Sequence, residues 1–152
     1  VVIDSLTELQ KLDMRAIMEA QYRKRPDTTD IDVPSQREWG KSIEHIRRVV
    51  RAFRDLEANT IFTALMSDSK DDVTGQVTYF PALPGKLKVE VAGFLDIVGY
   101  LYVVIDSDKE VYRKIQFTQT QRVVAKDRTS CLGDSLQDPT IPKMWSLITG
   151  KE

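Results

Sequence analysis

The first five residues constrain the fold more than any other stretch of the chain. Val1-Val2-Ile3 is an apolar run that ends on an acid, Asp4, and Ser5 follows at once. Apolar residues without polar alternation fit a strand buried on both faces, and such strands belong to parallel sheets. Ser5-x-x-Glu8 is a capping-box pattern, so a helix is expected to start on the next residue. A strand that runs straight into a helix leaves its last side chain, here a carboxylate, at the carboxyl end of the sheet. In open α/β sheets that rim is where ligands sit.

The order of the remaining elements extends this frame. Leu6, Leu9, Leu12, Ile17, Met18 and Tyr22 continue an approximate helical stripe to Arg23. Residues 25–34 (RPDTTDIDVP) are polar, carry two prolines and predict a loop. A second capping box, Ser35-x-x-Glu38, opens the strongest predicted helix, with Trp39, Ile43, Ile46, Val49, Val50, Phe53 and Leu56 at three- and four-residue steps and Asn59 as its stop. Residues 60–66 (TIFTALM) are uncharged and predict a strand buried on both faces. A charged loop is expected over 67–76, a short hairpin arm over 77–83, a break at Pro84-Gly85 and a helix over 86–95. Residues 99–105 and 111–118 predict strands joined by the turn Asp106-Ser107-Asp108-Lys109. A third short strand is expected at 122–126, a loop at 127–142 and a closing helix at 144–148. Strand–helix–helix–strand–helix with an antiparallel finish predicts an α/β fold in one domain, 1–152. Its central sheet is expected to be mostly parallel with helices on both faces. Asp4 and the Ser67–Asp68 region then lie on one rim.

Bulk composition narrows the function classes. Net charge is −1, so any polyanion site must be a local patch rather than a global field. Cys131 is the only cysteine and His45 the only histidine, which excludes an intramolecular disulfide and disfavours a zinc site. The most apolar stretch, 89–105, is interrupted by Glu90 and Asp96 and does not suit a membrane span. No signal-peptide pattern is present. A cytoplasmic protein with no membrane partner is the expectation. His45 fits a bystander on the long helix. Arg47, Arg48, Arg51 and Arg54 fit a solvated face, with a subunit interface or DNA channel as the sharper alternative.

Lys126-Asp127-Arg128-Thr129 follows the last predicted strand. Cations at i and i+2 of an extended segment point the same way, as a clamp on a phosphate requires, although a solvated turn is the default for the pair alone. With the order of elements, this pattern resembles the RecA/DnaB class of P-loop ATPase cores. Val1-Val2-Ile3-Asp4-Ser5 is similar to a Walker B strand, and Lys126-x-Arg128 to the KxR finger that reaches a neighbouring subunit's nucleotide. Trp39-Gly40-Lys41, the IFTAL run from Ile61, the loop ending Pro84-Gly85-Lys86 and the final Ala125-Lys126-Asp127-Arg128 occur in this order. That order resembles phage-encoded RecA-like, AAA-domain ATPases of single-strand annealing and recombination. The resemblance covers nearly the whole chain.

The resemblance implies ATP and Mg²⁺ as ligands. Asp4 would hold the metal through water with Ser5 in support, and Lys126 and Arg128 would act in trans on the neighbour's γ-phosphate within a head-to-tail homo-oligomer. Residues 25–34 and 67–84 would match two DNA loops, placing single-stranded DNA near Lys70, Tyr79, Phe80, Lys86 and Lys88. Host cytoplasm is the implied location for a phage-encoded protein. From the residues alone, Tyr79 and Phe80 could equally pack within their own domain, and Asp68, Asp71 and Asp72 oppose a polyanion. Two departures stand out. The strand matching 60–66 lacks the usual polar sensor at its end, so Ser67 or Asp68 would have to serve. The motif GxxxxGK[ST] occurs nowhere in the 152 residues, so the phosphate cradle is expected upstream or on another chain. The P-loop strand is expected between the strands at 60–66 and 99–105, and its absence would leave unpaired edges. By itself the chain is not expected to hydrolyse ATP. Two alternatives remain open: a non-catalytic single-strand-binding or interaction module on the same fold, and a helicase loader or motor of the same class.

Overall fold

The computed structural model describes residues 1–151, which form a mixed α/β chain with four helices and several small sheets. They divide into two compact units. One comprises Val1–Ser67 with Phe80–Phe94; the other comprises Asp68–Tyr79 with the chain from Leu95 onward.

In the first unit, β1 (Val2–Ile3) pairs in parallel with β2 (Ile61–Phe62), Val2 opposite Ile61 and Ile3 opposite Phe62. Flanking backbone bonds lengthen the pair: Ile61 N–H donates to Val1 O at 2.8 Å, Thr63 N–H to Ile3 O at 3.0 Å and Leu6 N–H to Thr63 O at 2.8 Å. Helix α1 (Leu6–Lys24) starts as its sequence predicts, with the Ser5 hydroxyl accepting from Glu8 N–H at 3.2 Å. Helix α2 (Gln36–Arg54) opens with a complete capping box between Ser35 and Glu38 and ends at Arg54, short of Asn59.

The two helices bury strict four-residue rows: Leu6, Gln10, Met14 and Met18 on α1, and Glu38, Ser42, Ile46 and Val50 on α2. An i±4 row is one of the two ridges a helix offers to a partner. It runs through polar positions here because Gln10 donates to the Ser42 hydroxyl, at 3.4 Å, and so satisfies both inside the interface. The expected stripe is displaced accordingly, and Leu12, Tyr22, Trp39 and Leu56 are exposed. His45 lies 2.8 Å from Asp13, a bond between the two helices. Helix α3 (Leu87–Phe94) buries Leu87 and Val91, and Arg47 reaches its Glu90 at 2.7 Å. The rest of the arginine run is engaged too: Arg47 and Arg48 bind Glu44, Arg51 sits 4.7 Å over the Phe94 ring, and Arg54 pairs with Asp55.

The expected charged loop at 67–76 is instead half of a hairpin. Strand β3 (Met66–Lys70) pairs with β4 (Val77–Pro81), and the chain passes from one unit to the other along both strands. Asp71 closes the tip, accepting from Val73 N–H at 2.9 Å and Thr74 N–H at 2.7 Å, while Gly75 takes φ +69°. The expected long buried strand at 60–66 is correspondingly short. Its regular pairing stops at Phe62, and residues 63–66 are exposed.

In the second unit, β6 (Tyr100–Ile105), β7 (Val111–Gln116) and β9 (Ser135–Gln137) form an antiparallel sheet. Asp106 builds the predicted turn by accepting from Asp108 N–H and Glu110 N–H, both at 2.9 Å. Strand β5 (Ile97–Val98) pairs antiparallel with β8 (Lys126–Asp127). Phe117, Val123, Ala125 and Leu132 form the buried centre. Helix α4 (Ile141–Thr149) is capped by Thr140 and ends on Gly150 at φ +64°. The α/β class holds, but the described residues contain one parallel pair among mostly antiparallel ones rather than a wide parallel sheet. Among them no helix is long and apolar enough to cross a membrane.

Candidate nucleotide site

Asp4 immediately follows β1, and Thr63 immediately follows β2. Because the two strands run parallel, both residues emerge at the same, carboxyl end. The Thr63 hydroxyl donates to Asp4 Oδ1. Asp4 is exposed. The Asp4–Ser5 peptide is cis. Ser5 serves as the N-cap of α1: its hydroxyl accepts from Glu8 N–H and its carbonyl from Leu9 N–H at 3.0 Å. Thr7, one turn into the helix, accepts from Leu65 N–H at 3.1 Å and ties down the chain that leaves β2. The result is a carboxylate, a hydroxyl and a helix N-terminus at one strand end. Hard oxygen donors of this kind suit Mg²⁺ held through water. Among the described residues no group of three or more His, Cys, Asp or Glu side chains is placed to hold a metal ion.

The polar residue that the structure brings to Asp4 is Thr63, not the expected Ser67 or Asp68. Ser67 and Asp68 are the second and third residues of β3, four and five positions further on. Thr63 escaped notice in the sequence because it sits inside an apolar run. The register that makes it the partner of Asp4 exists only once the strands pair.

Lys126 and Arg128 belong to the other unit. Lys126 pairs with Val98 in the β5–β8 ladder. Arg128 donates its backbone N–H to Asp96 O at 3.0 Å and its guanidinium to the Asp96 carboxylate at 3.1 Å. Burial, followed by the nearby charge of Arg128, pushes the Lys126 ammonium below its usual value against the opposing pull of Asp96.

The residues expected near DNA are placed as follows. Tyr79 stacks on Tyr100 (5.8 Å between ring centres), and Tyr100 on Tyr102 at 5.4 Å. Lys88 sits 4.7 Å over the Phe80 ring. Adjacent residues of a strand face opposite ways, so Tyr79 and Phe80 find separate partners, one in each unit. Lys70 ends β3 exposed, and Lys86 is exposed just before α3.

A strand-end carboxylate beside a helix N-terminus, in a mixed α/β chain, lies at the strand ends where α/β domains hold their ligands. The family model of the AAA domain matches residues 1–129, and the chain belongs to that family, an ATPase-type domain. No curated protein matches the chain, and no solved structure does.

Proposed function

We propose that the chain is the downstream part of a RecA-like ATPase core that binds and hydrolyses ATP with Mg²⁺ during phage-type recombination or annealing of single-stranded DNA. Asp4 holds the metal through water, Ser5 orders the start of α1, and Thr63 fixes the Asp4 carboxylate and serves as the polar group at the end of β2. The role first given to Ser67 and Asp68 passes in this reading to Thr63. The phosphate cradle comes from a segment or subunit that carries the glycine-rich loop. A P-loop strand would complete a parallel sheet of which β1 and β2 are two members. Lys126 and Arg128 reach a neighbour's γ-phosphate, which requires a head-to-tail ring or filament. Single-stranded DNA lies along the β3–β4 hairpin and the start of α3, near Lys70, Tyr79, Phe80, Lys86 and Lys88.

The observation that carries this reading is the Thr63–Asp4 hydrogen bond at the carboxyl end of a parallel pair, in a chain of the AAA domain family. The test supplies the glycine-rich-loop segment and mixes Asp4→Ala subunits with Lys126→Ala/Arg128→Ala subunits. Hydrolysis restored in the mixture, and absent from each variant alone, is expected. A mixture that stays inactive while the wild type hydrolyses ATP overturns the trans assignment. Single-strand binding without any hydrolysis by the wild type would identify a non-catalytic module instead.

A further inference from the structure

The turn that presents Lys126 and Arg128 is built around the carboxylate between them. Asp127 Oδ1 accepts from the Thr129 backbone N–H at 2.8 Å and from the Thr129 hydroxyl at 2.6 Å. Its Oδ2 accepts from Leu132 N–H at 3.0 Å. Thr129 Oγ1 in turn accepts from Cys131 N–H at 3.2 Å, so the loop closes on itself around one side chain. Burial acts to raise the Asp127 carboxyl, and the hydrogen bonds from Thr129, Leu132 and Cys131 outweigh it, holding the group below its usual value.

The backbone of the same segment is gripped elsewhere. Lys126 and Asp127 pair with Val98 and Ile97, and Arg128 N–H donates to Asp96 O. Ala125 before the segment and Leu132 after it are buried. Within β8 the Lys126 and Asp127 side chains face opposite ways, and Arg128 follows in the bend that the Asp127 carboxylate closes. The Asp127 carboxylate is thus taken up by loop amides and the Thr129 hydroxyl, while Arg128 pairs with the Asp96 carboxylate.

We propose that Asp127 is a positioning residue for the Lys126–Arg128 pair: it holds the two cations at a set spacing for the terminal phosphate of a nucleoside triphosphate. The inference rests on the trans-finger reading of the previous section. Asp127 touches no substrate; it acts by fixing the backbone of the turn from which the two cations extend, so that less ordering of that turn is left to be done on binding. A displacement of about 1 Å at such a clamp costs roughly 10²-fold in rate.

The test is steady-state ATP hydrolysis by the assembly that includes the glycine-rich-loop segment. Asp127→Ala is expected to lower kcat by roughly 10²-fold, leaving KM within a few-fold. Asp127→Asn, which keeps one acceptor oxygen, should recover part of the loss. Combined with Lys126→Ala/Arg128→Ala, Asp127→Ala should cause no further fall, because a positioning residue has nothing left to position; damage to the fold at large would add instead. If Asp127→Ala does not fold, Thr129→Val removes one of the three bonds and should give a smaller drop in kcat. An Asp127 effect that persists in the combined variant overturns the proposal, and so does an unchanged kcat in Asp127→Ala while Arg128→Ala is inactive. If Arg128→Ala is itself fully active, the trans-finger reading falls first and takes this proposal with it.

Discussion

The Thr63 hydroxyl donates to the carboxylate of Asp4, and the bond joins the carboxyl ends of two strands 59 positions apart in the chain. One acceptor oxygen of Asp4, Oδ1, is thereby engaged by the protein. Replacing Thr63 by Val should remove that bond and nothing else of consequence. The exposed hydrogen bond contributes no more than about 1 kcal/mol, so the urea midpoint should move little. In the assembled ATPase the same change should lower activity roughly 10–100-fold, as loss of a partner behind a metal-supporting group does elsewhere. Thr63→Ser should restore most of it.

The α1–α2 interface sets the stability of the first unit. Ile46 and Val50 are fully buried on α2, opposite a row of α1 that includes Met14 and Met18. Ile46→Ala should cost about 2–5 kcal/mol by lost burial and a residual cavity. Ser42→Ala should cost about 1–3 kcal/mol, out of proportion to one oxygen atom, because the buried Gln10 amide loses its partner. Urea denaturation of the two variants and the wild type measures both effects.

Gly99 stands between β5 and β6 where a side chain has no room. A Cβ there would meet Ile115 Cδ1, come within 2.7 Å of Ile115 Cγ1 and lie 3.2 Å from the buried ring of Phe117. Gly99→Ala should destabilise the second unit by about 1–3 kcal/mol, the usual cost of overpacking. Thermal unfolding reads it. A wild-type-like midpoint would contradict the packing described around Phe117.

Acid should weaken the Asp127 turn in a definite direction. The folded carboxyl lies below the 3.8 of an ordinary aspartate, so its contribution to stability is fully present above 3.8. That contribution disappears as the pH falls through the depressed folded value, since the unfolded chain takes up the proton first. Urea midpoints followed from neutral pH downward should therefore decline in the wild type. In Asp127→Asn that decline should be smaller by the part Asp127 contributes.

Local signals accounted for much of the chain. Ser35 and Glu38 are three residues apart and cap α2 whatever surrounds them, and Asp106 folds the β6–β7 turn with backbone groups two and four residues on. The antiparallel strands at 100–105 and 111–116 follow from that turn and from their β-prone residues. The buried row of α1 was not legible, because Gln10 becomes a core residue only when Ser42 arrives from another helix to accept its hydrogen bond. The strand at 60–66 illustrates the same limit. Its apolar composition implied burial on two faces, yet β2 pairs with β1 alone among the described residues and the chain turns outward after Phe62.

By itself, then, the sequence determined the starts of α1 and α2, the β6–β7 turn, the acid at the end of the first strand and the pair of cations spaced by one residue. All of these depend on groups a few positions apart, where the chain's own geometry limits the choices. Only the tertiary structure decided that Thr63 meets Asp4, that an i±4 row with polar members forms the helix interface, and that Lys126 and Asp127 pair with Val98 and Ile97. Each of those depends on strand register or on groups brought together from distant segments. Hydrogen bonds between such groups lower the free energy only after packing has removed them from water and fixed them in reach of one another.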